Sequence, residues 1–334
     1  MLEIPKIHHR VNSRRCIGVL SSGGDAPGMN AAIRAIVRYA LAHQCRVKGI
    51  LKGYSGLLSE QIIELNLSSV ANIIQRGGTV LKTDRCEAFF HNKYRKKAAE
   101  ILRQNGMDSL IVIGGDGSFA GAHLLEKETG FPTLGVPGTI DNDIPGSEDT
   151  IGFDTAVNTA IESIDRIRDT ANSHDRIFLV EVMGRNSGFI GLQVGLGGGA
   201  ETILLPENKL NMSEICATLD RSIRRGKTSS ILVVSEGPKP GLANRVSDEL
   251  KKRGYGSRVC ILGHIQRGGA PSAHDRVLAS VLGATAVAHL MSGESDAMVG
   301  IQNGKVVLVP LAKVVGKKKG VPRLTLELAH MLGI

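Results

Sequence analysis

The chain has 334 residues, of which 42% are apolar and 22% charged, an ordinary globular composition that gives no indication of disorder. The net charge is +9, yet aromatic residues make up only 3% and tryptophan is absent. Stacking platforms for single-stranded nucleic acid therefore have little to be built from. Since arginine and lysine recur beside glycine-rich turns, the charge indicates small phosphorylated ligands instead.

Five cysteines are widely spaced and lack a Cys-x-x-Cys pair, so neither a zinc site nor a disulfide framework is indicated. The polar, basic stretch 1–15 has no apolar core of the kind found in signal peptides, and no run approaches membrane-spanning length. We therefore expect a protein of the reducing cytoplasm. The basic runs at 95–97 and 317–319 are interpreted as solvated surface.

Apolar runs that alternate with glycine turns and amphipathic stretches predict repeated strand–loop–helix units. In the first half we predict strands at 16–21, 46–51, 109–113 and 133–136, and helices at 29–42, 69–74, 93–104 and from the turn at 114–118 to about 128. In the second half we predict strands at 176–182, 201–205, 229–235 and 257–263, helices at 153–172, 212–225, 273–291 and 322–332, and a hairpin of 299–302 with 305–309. The alternation predicts an α/β protein with two doubly wound, Rossmann-like domains and mainly parallel sheets.

Two glycine turns with an acidic residue follow predicted strands. Residues 22–28 (SGGDAPG) stand between a strand and a helix, a geometry that suits phosphate, although the Gly-Lys-Ser/Thr ending of a Walker A loop is missing. Residues 114–118 (GGDGS) place an acid between glycines, where a carboxylate can hold Mg²⁺ while backbone N–H groups take phosphate oxygens. The alternative for the second turn is a glycine cap with an Asp turn.

The third such loop, residues 137–143 (PGTIDND), has two carboxylates at i and i+2 and a hydroxyl two residues earlier. These groups suit an acceptor hydroxyl, a metal or both, and the alternative is an Asx-rich turn. Open α/β sheets bind ligands at the carboxyl ends of their strands. Three such loops, several arginines and no nucleophilic Ser or Cys motif together indicate phosphoryl transfer, which needs a positioned acceptor, a metal, cations and one base.

These motifs, with Met183-Gly184-Arg185 and the run 262–269 (LGHIQRGG), resemble the 6-phosphofructokinases, in particular the ATP-dependent bacterial type. The resemblance runs from about Arg15 to Gln302. It implies a larger ATP-binding domain, 1–152 plus about 266–316, and a smaller fructose 6-phosphate and effector domain, about 153–265 plus 317–334. It also implies a homotetramer whose active sites are completed across a subunit interface.

By this resemblance, Asp141 takes the proton from the C1 hydroxyl of fructose 6-phosphate as that oxygen attacks the γ-phosphate of ATP. Thr139 would bond the transferring phosphoryl group, Asp143 would support the sugar or the metal shell, and Asp116 would hold the Mg²⁺ that accompanies ATP. The implied catalytic set is Asp141, Thr139, Asp143, Arg185 and Gly23. The implied ATP-binding set is Gly23, Tyr54, Arg85, Cys86, Gly115, Asp116, Gly117 and Ser118.

The sugar phosphate site implied by the resemblance is rich in arginine, whose planar fork matches phosphate oxygens. Its residues are Thr139, Ile140, Asp141, Arg176, Met183, Gly184, Arg185, Glu236, Arg258, His264, Ile265, Gln266 and Arg267. Arg176 and Arg258 would come from a neighbouring subunit. For His264 alone a satisfied core histidine is the alternative, and the adjacent Arg267-Gly268-Gly269 favours the site.

Positions that bind a nucleoside diphosphate or phosphoenolpyruvate effector in the family are matched as well. They are Arg34, Arg38, Arg168, Gly199, Ala200, Glu201, Arg225 and Lys227. Leu67 and Asn72, however, stand where well-known bacterial enzymes carry an arginine and an aspartate, so we expect weakened or altered effector control. Phe90 likewise replaces a family arginine near the nucleotide.

Other readings are weighed against this resemblance. Pyrophosphate-using relatives tend to carry an acid and a lysine where this chain has Gly117 and Gly138, so ATP is the expected donor. A non-catalytic ligand-sensing homologue is opposed by the retained Asp141, Asp116 and Arg185. NAD and lipid kinases share only the GGDG stretch, and an NAD-binding Rossmann domain is disfavoured because no strand is followed by Gly-x-Gly-x-x-Gly.

Overall fold

The computed structural model describes residues 15–174, 176–237 and 240–333. Eleven strands lie in these ranges: β1 Cys16–Ser21, β2 Arg46–Ile50, β3 Ile62–Leu65, β4 Ser109–Gly114, β5 Thr133–Pro137, β6 Ile177–Val182, β7 Thr202–Leu204, β8 Ser230–Ser235, β9 Ser257–Ile261, β10 Ala297–Gln302 and β11 Lys305–Pro310.

The α-helices in the same ranges are α1 Met29–Ala42, α2 Gly53–Leu58, α3 Asn92–Gln104, α4 Asp116–Thr129, α5 Phe153–His174, α6 Phe189–Gly197, α7 Met212–Arg224, α8 Leu242–Lys252, α9 Ala273–Met291 and α10 Arg323–Leu332. Short 3₁₀ helices occupy Glu87–Phe90, Gly263–Arg267 and Leu311–Lys313. None of the helices in the described part of the chain combines the length and the apolar composition needed to cross a membrane.

The chain divides into two compact units, each with its own sheet. Unit 1 runs to Ile140 and adds Ile144–Asp154 and Arg267–Lys318. Unit 2 combines Asp141–Asp143, Thr155–Gln266 and the residues from Lys319 onward.

Unit 1 contains a seven-stranded sheet with the order β11-β10-β5-β4-β1-β2-β3. Its five inner strands pair in parallel, whereas β11 and β3 add an antiparallel strand at each edge. The central strands β1 and β4 are buried along their whole length. Since successive side chains point to opposite faces, this burial means that helices cover both faces of the sheet. Helices α3 and α4 pack together around Phe119 and Leu102. Helix α1 packs against α9.

Unit 2 contains a four-stranded, fully parallel sheet with the order β7-β8-β6-β9. Leu219 of α7 and Val246 of α8 pack against Leu179 and Leu232 of the sheet. Helices α6 and α10 contact each other, and α10 also contacts the edge strand β7. The predicted α/β class with mainly parallel sheets is therefore confirmed in both units.

Several local predictions are confirmed residue by residue. Strand β1 and helices α1 and α9 have the predicted bounds. The hairpin is present as well, because Gln302 pairs with Lys305 and the two residues between them, Asn303 and Gly304, have φ of 51° and 70°. Two consecutive positive φ angles are what a type I′ hairpin turn requires.

The helix predicted at 69–74 is wrong, because this stretch forms turns. Ser69 N donates to Asn66 Oδ1 at 2.9 Å, and Asn66 N donates to Ser69 Oγ at 3.2 Å. Asn72 has a φ of 53°, outside the helical region. Asn and Ser side chains that bond the local backbone compete with helical hydrogen bonds, which is the physical reason for the miss.

Helices α2, α6 and α8 and strand β3 were not predicted. The sequence of α8 is amphipathic, with Val246 and Leu250 on the buried face, and this pattern could have been used to predict the helix. Its start, however, depends on a distant residue: the buried carboxylate of Glu181 accepts hydrogen bonds from Gly241 N at 2.7 Å and Ala243 N at 2.8 Å.

The interpretation of the 95–97 run as solvated surface is wrong for Arg95, which is only 4% exposed. Its guanidinium donates to both carboxylate oxygens of Glu128, at 2.6 and 2.7 Å, and to the carbonyl of Phe89 at 2.6 Å. Hydrogen bonding from Arg95 lowers the pKa of Glu128. Charge alone could not distinguish this buried arginine from the exposed Lys96 and Lys97 beside it.

Candidate active site

The three predicted glycine loops leave neighbouring strands of unit 1, because β1, β4 and β5 are adjacent and parallel. Backbone hydrogen bonds join the loops where the strands end. Ser22 N donates to the carbonyl of Ile113, and Gly138 N donates to the carbonyl of Gly114, both at 2.9 Å. The phosphate-type turn, the Gly-Asp-Gly turn and the start of the PGTIDND loop therefore lie side by side at one edge of the sheet.

Side-chain contacts hold the first two turns together. Ser118 Oγ donates to the carbonyl of Ser22 at 3.0 Å. A Cβ at Gly114 would lie 2.6 Å from both the Ser22 carbonyl and Ser118 Oγ, so this position requires glycine. Gly23 has a φ of 89°, and a Cβ there would lie 3.4 Å from Ser118 Oγ. The predicted nucleotide residues Gly23 and Ser118 are thus neighbours in space.

Asp116 is the first residue of α4, and its side chain is exposed. Its Oδ1 accepts a hydrogen bond from Gly316 N at 3.2 Å. Gly115 precedes it in an extended conformation, and a Cβ at Gly117 would meet no atom within 4 Å. The start of a helix favours anions, and open space surrounds it here, so this turn can accommodate phosphate.

Mg²⁺ commonly binds one or two carboxylates and completes its shell with water and substrate phosphates. Among the described residues no group of three or more His, Cys, Asp or Glu side chains could hold a metal. A lone, exposed carboxylate at the phosphate turn, such as Asp116, fits a cation that arrives with a nucleotide.

Tyr54 lies beneath the Gly-Asp-Gly turn. Its hydroxyl donates to the carbonyl of Ser118 at 2.7 Å, and its ring stacks on Phe89 with centroids 3.9 Å apart. Burial raises the pKa of Tyr54, so its hydroxyl stays protonated and can act as a donor. The structure therefore places Tyr54 as a support of the turn, and its predicted contact with ATP stays a prediction.

Arg85 and Cys86 belong to a stretch that has neither helix nor strand between β3 and the 3₁₀ helix at Glu87–Phe90. Arg85 is exposed and Cys86 is half-buried. The stretch reaches the first glycine turn, because Thr83 Oγ1 donates to the carbonyl of Gly23 at 2.8 Å. The chain therefore contacts Gly23 two residues before Arg85.

Arg267 was predicted for the sugar phosphate, and the structure places it against the first glycine turn. Its Nη1 donates to the carbonyl of Asp25 at 3.0 Å, and a Cβ at Gly24 would lie 2.7 Å from the same nitrogen. Because Gly24 has no side chain, the guanidinium of Arg267 can occupy this space. The predicted sugar contact of Arg267 is not tested by this geometry.

Thr139 and Ile140 continue the chain from β5. Ile140 is fully buried, and the carbonyl of Thr139 accepts a hydrogen bond from Thr150 Oγ1 at 2.7 Å. A Cβ at Gly115 would lie 3.7 Å from Thr139 Cβ, so the hydroxyl-bearing residue borders the Gly-Asp-Gly turn. Ile140 anchors this part of the loop in the core.

In unit 2 the residues 141–143 are held by α6 and by the stretch before it. Asp141 is 5% exposed, and its carbonyl accepts a hydrogen bond from Ser187 Oγ at 3.0 Å. Lys319 Nζ donates to Asn142 Oδ1 at 3.0 Å and lies 4.7 Å from the centroid of the Phe189 ring. The interpretation of the 317–319 run as solvated surface is therefore wrong for Lys319. Only the tertiary structure distinguishes it from its exposed lysine neighbours.

The loop after β6 carries three predicted substrate residues in a tight turn. Gly184 has a φ of 147°, and a Cβ there would lie 2.4 Å from the Ser187 carbonyl. Arg185 also has a positive φ, 51°, which is costly for a residue with a Cβ. Its N–H donates to Glu236 Oε1 at 3.1 Å, so two predicted substrate residues, Arg185 and Glu236, contact each other.

Gln266 is fully buried, and it links two elements of unit 2. Its Oε1 accepts from Met183 N at 2.8 Å, and its Nε2 donates to the carbonyl of Ala156 at 3.4 Å. Its neighbours His264 and Ile265 are exposed. Gln266 therefore positions the loop after β6, while His264 is not a satisfied core histidine.

Arg176 and Arg258 do not accompany the other predicted substrate residues of unit 2. Arg176 precedes β6 and Met183 follows it, so they lie at opposite ends of a strand about 20 Å long. Arg258 is the second residue of β9, which pairs in parallel with β6, and so it also lies at the amino end. Both side chains are exposed. Within one chain these arginines are remote from the Met183–Arg185 turn.

Comparison with known proteins decides the family. Residues 16–290 match the profile of the protein family described as Phosphofructokinase. The chain belongs to the phosphofructokinase family. It is 51% identical over 322 residues to the ATP-dependent 6-phosphofructokinase of Thermoanaerobacter sp. (strain X514), covering 96% of this chain and 100% of that protein. It is 53% identical to ATP-dependent 6-phosphofructokinase 1 of Thermus thermophilus, covering 95% of this chain and 99% of that protein.

Solved structures agree on the fold. Phosphofructokinase from Saccharomyces cerevisiae matches with a TM-score of 0.84 and 34% identity over 95% of this chain. The match covers 46% of the yeast chain, so this chain spans about half of that relative. A pyrophosphate-dependent phosphofructokinase from Marinobacter aquaeolei matches with a TM-score of 0.80 at 24% identity, which shows the shared fold alone. The family resemblance stated from the motifs is thus confirmed.

Most of the effector positions predicted from this family lie in unit 2 and surround one small cavity of about 120 Å³. The cavity is lined by Gly199, Ala200, Glu201, Ser222, Arg225, Lys227, Leu332 and Gly333. Arg168 borders it, because its Nη2 donates to the carbonyls of Gly198 and Gly199 at 2.5 and 3.0 Å.

The charges in this cavity are partly matched already. Glu201 forms an ion pair with Lys227 and accepts a hydrogen bond from Ile231 N at 2.5 Å. Arg34 and Arg38 are on α1 of unit 1, where Arg34 is half-buried and Arg38 exposed. Leu67, at the position where the resemblance implies an arginine, is 54% exposed.

Proposed function

We propose that this protein transfers the γ-phosphate of ATP to the C1 hydroxyl of fructose 6-phosphate, giving fructose 1,6-bisphosphate and ADP. The observation that carries the proposal is the joined set of loops at the carboxyl edge of β1, β4 and β5. Its glycine turns suit phosphate, and the same chain reaches Asp141 two residues after Thr139, within about 7 Å. Relatives named ATP-dependent 6-phosphofructokinase are 50–54% identical over 95–96% of the chain.

Asp141 is the proposed general base. In the reaction a bond forms between the sugar O1 and the γ-phosphorus, the bond from that phosphorus to the β,γ-bridging oxygen breaks, and the hydroxyl proton passes to the Asp141 carboxylate. Burial and the hydrogen bond from Ser187 to its carbonyl restrict where Asp141 lies. Such positioning is what this reaction mainly requires from a protein.

The other groups supply charge and orientation. Thr139 is proposed to bond the transferring phosphoryl group, Arg185 to neutralise charge on it, and Asp143 to support the sugar. Asp116 is proposed to hold the Mg²⁺ that accompanies ATP, and this cation neutralises phosphate charge. Arg85 and the α4 N-terminus act on the same phosphates.

Two glycines favour ATP over pyrophosphate as the donor. The space above Gly117 is open, which leaves room for a nucleotide. Gly138 is closely packed, because a Cβ there would lie 2.9 Å from Ile113 Cγ2 and 3.2 Å from Met29 Cε. A lysine at Gly138 would require the buried Ile113 to move.

The test is a coupled assay for fructose 1,6-bisphosphate with ATP or pyrophosphate as donor. We expect activity with ATP, and we expect Asp141→Asn to lower kcat by about 10²–10⁴ while fructose 6-phosphate binding is largely kept. Asp165→Asn, at an exposed position on α5, makes the same chemical change and serves as the control. Activity with pyrophosphate alone would overturn the donor, and substrate binding without turnover would favour a ligand-sensing homologue.

We further propose a homotetramer in the cytoplasm, with Arg176 and Arg258 serving the sugar phosphate site of a neighbouring subunit. Both arginines are exposed and remote from the Met183–Arg185 turn of their own chain. The exposed Ile261 on the same edge strand supports an interface there. Mixed oligomers of Asp141→Asn and Arg258→Ala subunits should regain activity that neither parent has. A monomeric mass by light scattering would contradict this.

We propose that the small cavity of unit 2 takes an anionic effector weakly. Arg225 and Lys227 provide cations there, but Lys227 is already paired with Glu201. Leu67 and Asn72, which the resemblance matches to effector positions, carry no charge, and losing one charge-assisted contact costs about 1.5–3 kcal/mol. Activity should therefore respond little to ADP or phosphoenolpyruvate. Strong phosphoenolpyruvate inhibition that Arg168→Ala abolishes would argue against this.

A further inference from the structure

The stretch 66–86, which carries Lys82 and Arg85, has no helix or strand of its own. A loop of this length inside a compact domain pays a large conformational entropy unless other residues restrain it. Lys82 and Arg85 are exposed, so their own side chains do not anchor the stretch in the core. Something else must therefore decide where these two cations stand.

Asn30, on the first turn of α1, contacts the backbone of this stretch. It is 1% exposed. Its Nδ2 donates to the carbonyls of Arg76 and Gly77, at 3.0 and 3.2 Å. Its Oδ1 accepts from Val80 N at 2.7 Å. One buried amide thus forms three hydrogen bonds to the backbone of residues 76–80.

The neighbouring part of the stretch is held by hydroxyl groups. Ser21 Oγ is 2.8 Å from Thr79 Oγ1 and donates to the carbonyl of Lys82 at 2.9 Å. Thr83 Oγ1 in turn donates to the carbonyl of Gly23. These bonds join the side chains of Thr79 and Thr83 and the backbone of Lys82 to the end of β1 and to the first glycine turn.

Packing leaves this stretch little freedom to shift. A Cβ at Gly77 would lie 2.2 Å from the carbonyl oxygen of Gly269, so two backbones approach closely there. Leu81 is fully buried. Lys82, next to it, has a φ of 57°. Residues with a side chain rarely adopt this backbone conformation, and surrounding contacts must maintain it.

We propose that Asn30 is a positioning residue for nucleotide binding: its amide fixes the backbone of residues 76–80 so that Lys82 and Arg85 stand at the phosphates beside Gly23. This rests on the proposed kinase function. Asn30 itself touches no substrate. Its effect is exerted through the backbone that it holds.

An amide is the group that this position requires. It must donate twice, to Arg76 and Gly77, and accept once, from Val80. Aspartate has nearly the same shape and keeps the acceptor, but its ionised form turns an oxygen toward two carbonyl oxygens. Asn30→Asp therefore removes the donors without creating a cavity.

The central experiment measures KM for ATP and for fructose 6-phosphate in Asn30→Asp between pH 6 and pH 8.5. At pH 8.5 we expect KM for ATP to rise roughly tenfold, the effect of losing one or two hydrogen bonds, with KM for fructose 6-phosphate changed less than twofold. Burial and the facing carbonyls favour the protonated carboxyl, which can donate one bond again. The ratio of KM for ATP in Asn30→Asp to KM for ATP in wild type, measured at the same pH, should therefore decrease as the pH falls.

Asn105→Asp is the matched control. Asn105 donates through Nδ2 to the carbonyl of Ile101 at the end of α3, away from the stretch 66–86, so it makes the same amide-to-carboxylate change. Its kinetics should match wild type at every pH. A defect in Asn30→Asp that is equal for both substrates, or that does not shrink at low pH, would overturn the proposal.

Ser21→Ala keeps the proposal testable if Asn30→Asp folds poorly, and hydrogen exchange keeps it testable if the protein is not a kinase. Ser21→Ala removes the bonds to Thr79 and Lys82, and we expect a several-fold rise in KM for ATP alone; an unchanged KM contradicts the proposal. Hydrogen exchange does not depend on activity. Amides of residues 76–83 should exchange faster in Asn30→Asp than in Asn105→Asp, and equal rates would refute the anchor even if kinase activity is present. Absence of kinase activity in wild type would refute the proposed function instead.

Discussion

The loops at the carboxyl edge of the unit 1 sheet are joined to one another by backbone hydrogen bonds, whereas in unit 2 the backbone amides of the loop after β6 donate to side chains. In unit 1 a Cβ at Gly24, Gly77 or Gly114 would come within 2.7 Å of a neighbouring atom. In unit 2 the amides of Met183 and Arg185 donate to the side chains of Gln266 and Glu236. An added methyl group in unit 1 is therefore compared below with a lost side-chain acceptor in unit 2.

The largest effect should come from Gly77→Ala. The new methyl carbon would lie 2.2 Å from the Gly269 carbonyl oxygen, and two backbones must separate to admit it. We expect a loss of about 3 kcal/mol in the free energy of unfolding and a higher KM for ATP. Gly78→Ala is the control, because it meets no atom within 4 Å and adds only the strain of a φ of 65°, about 1 kcal/mol. Equal losses in the two variants would show that close approach is not the cause.

Gln266→Met should have the next largest effect and tests unit 2. Methionine has a similar volume, so the change removes the acceptor for Met183 N and leaves that buried N–H unsatisfied. We expect a loss of about 1–3 kcal/mol in unfolding free energy, together with a higher KM for fructose 6-phosphate. Urea denaturation and steady-state kinetics would measure both. A variant as stable as wild type would mean that side-chain bonds do not hold this loop.

Tyr54→Phe should produce a smaller change, since it removes one hydrogen bond in unit 1 while the stacked ring remains. The carbonyl of Ser118 loses its donor, which costs about 0.5–1.5 kcal/mol. We expect a rise of a few-fold in KM for ATP with KM for fructose 6-phosphate unchanged. If both constants stay at the wild-type values, Tyr54 does not support the nucleotide turn.

The smallest effect concerns pH. Burial by itself would lower the pKa of His274. The hydrogen bond to Asp149 and the negative charges of Asp149, Asp154 and Asp275 have a larger effect, and they raise this pKa above 6.5. The pair therefore contributes stability below about pH 6.5 and loses it as pH rises through the raised value. Because His274 is half exposed, the contribution is under about 1 kcal/mol. His274→Gln should flatten the decline of melting temperature between pH 6 and pH 9; an unchanged slope would contradict this.

Sequence reasoning recognised the fold class and the family because strand-to-glycine-to-helix transitions are local patterns. It also named Gln266 and Arg267, but it could not assign the first as a buried clamp or the second as a neighbour of Asp25. Asn30, two residues after the SGGDAPG turn, was given no role, since nothing local indicates that an amide on α1 will meet residues 76–80. Lys319 and Arg95 were misread for the same reason.

What the sequence by itself determined is most of the strands, turns and helices in their order along the chain and the chemistry available at the glycine turns, because hydrophobic period and glycine placement act over a few residues. Only the tertiary structure decided which turns meet, which charges are buried and which arginines lie far from the Met183–Arg185 turn of their own chain. The physical reason is that hydrogen bonds such as those of Asn30 to residues 76–80, and close approaches such as Gly77 to Gly269, join residues far apart in the chain. Such pairings arise from strand order and packing, which no local pattern encodes.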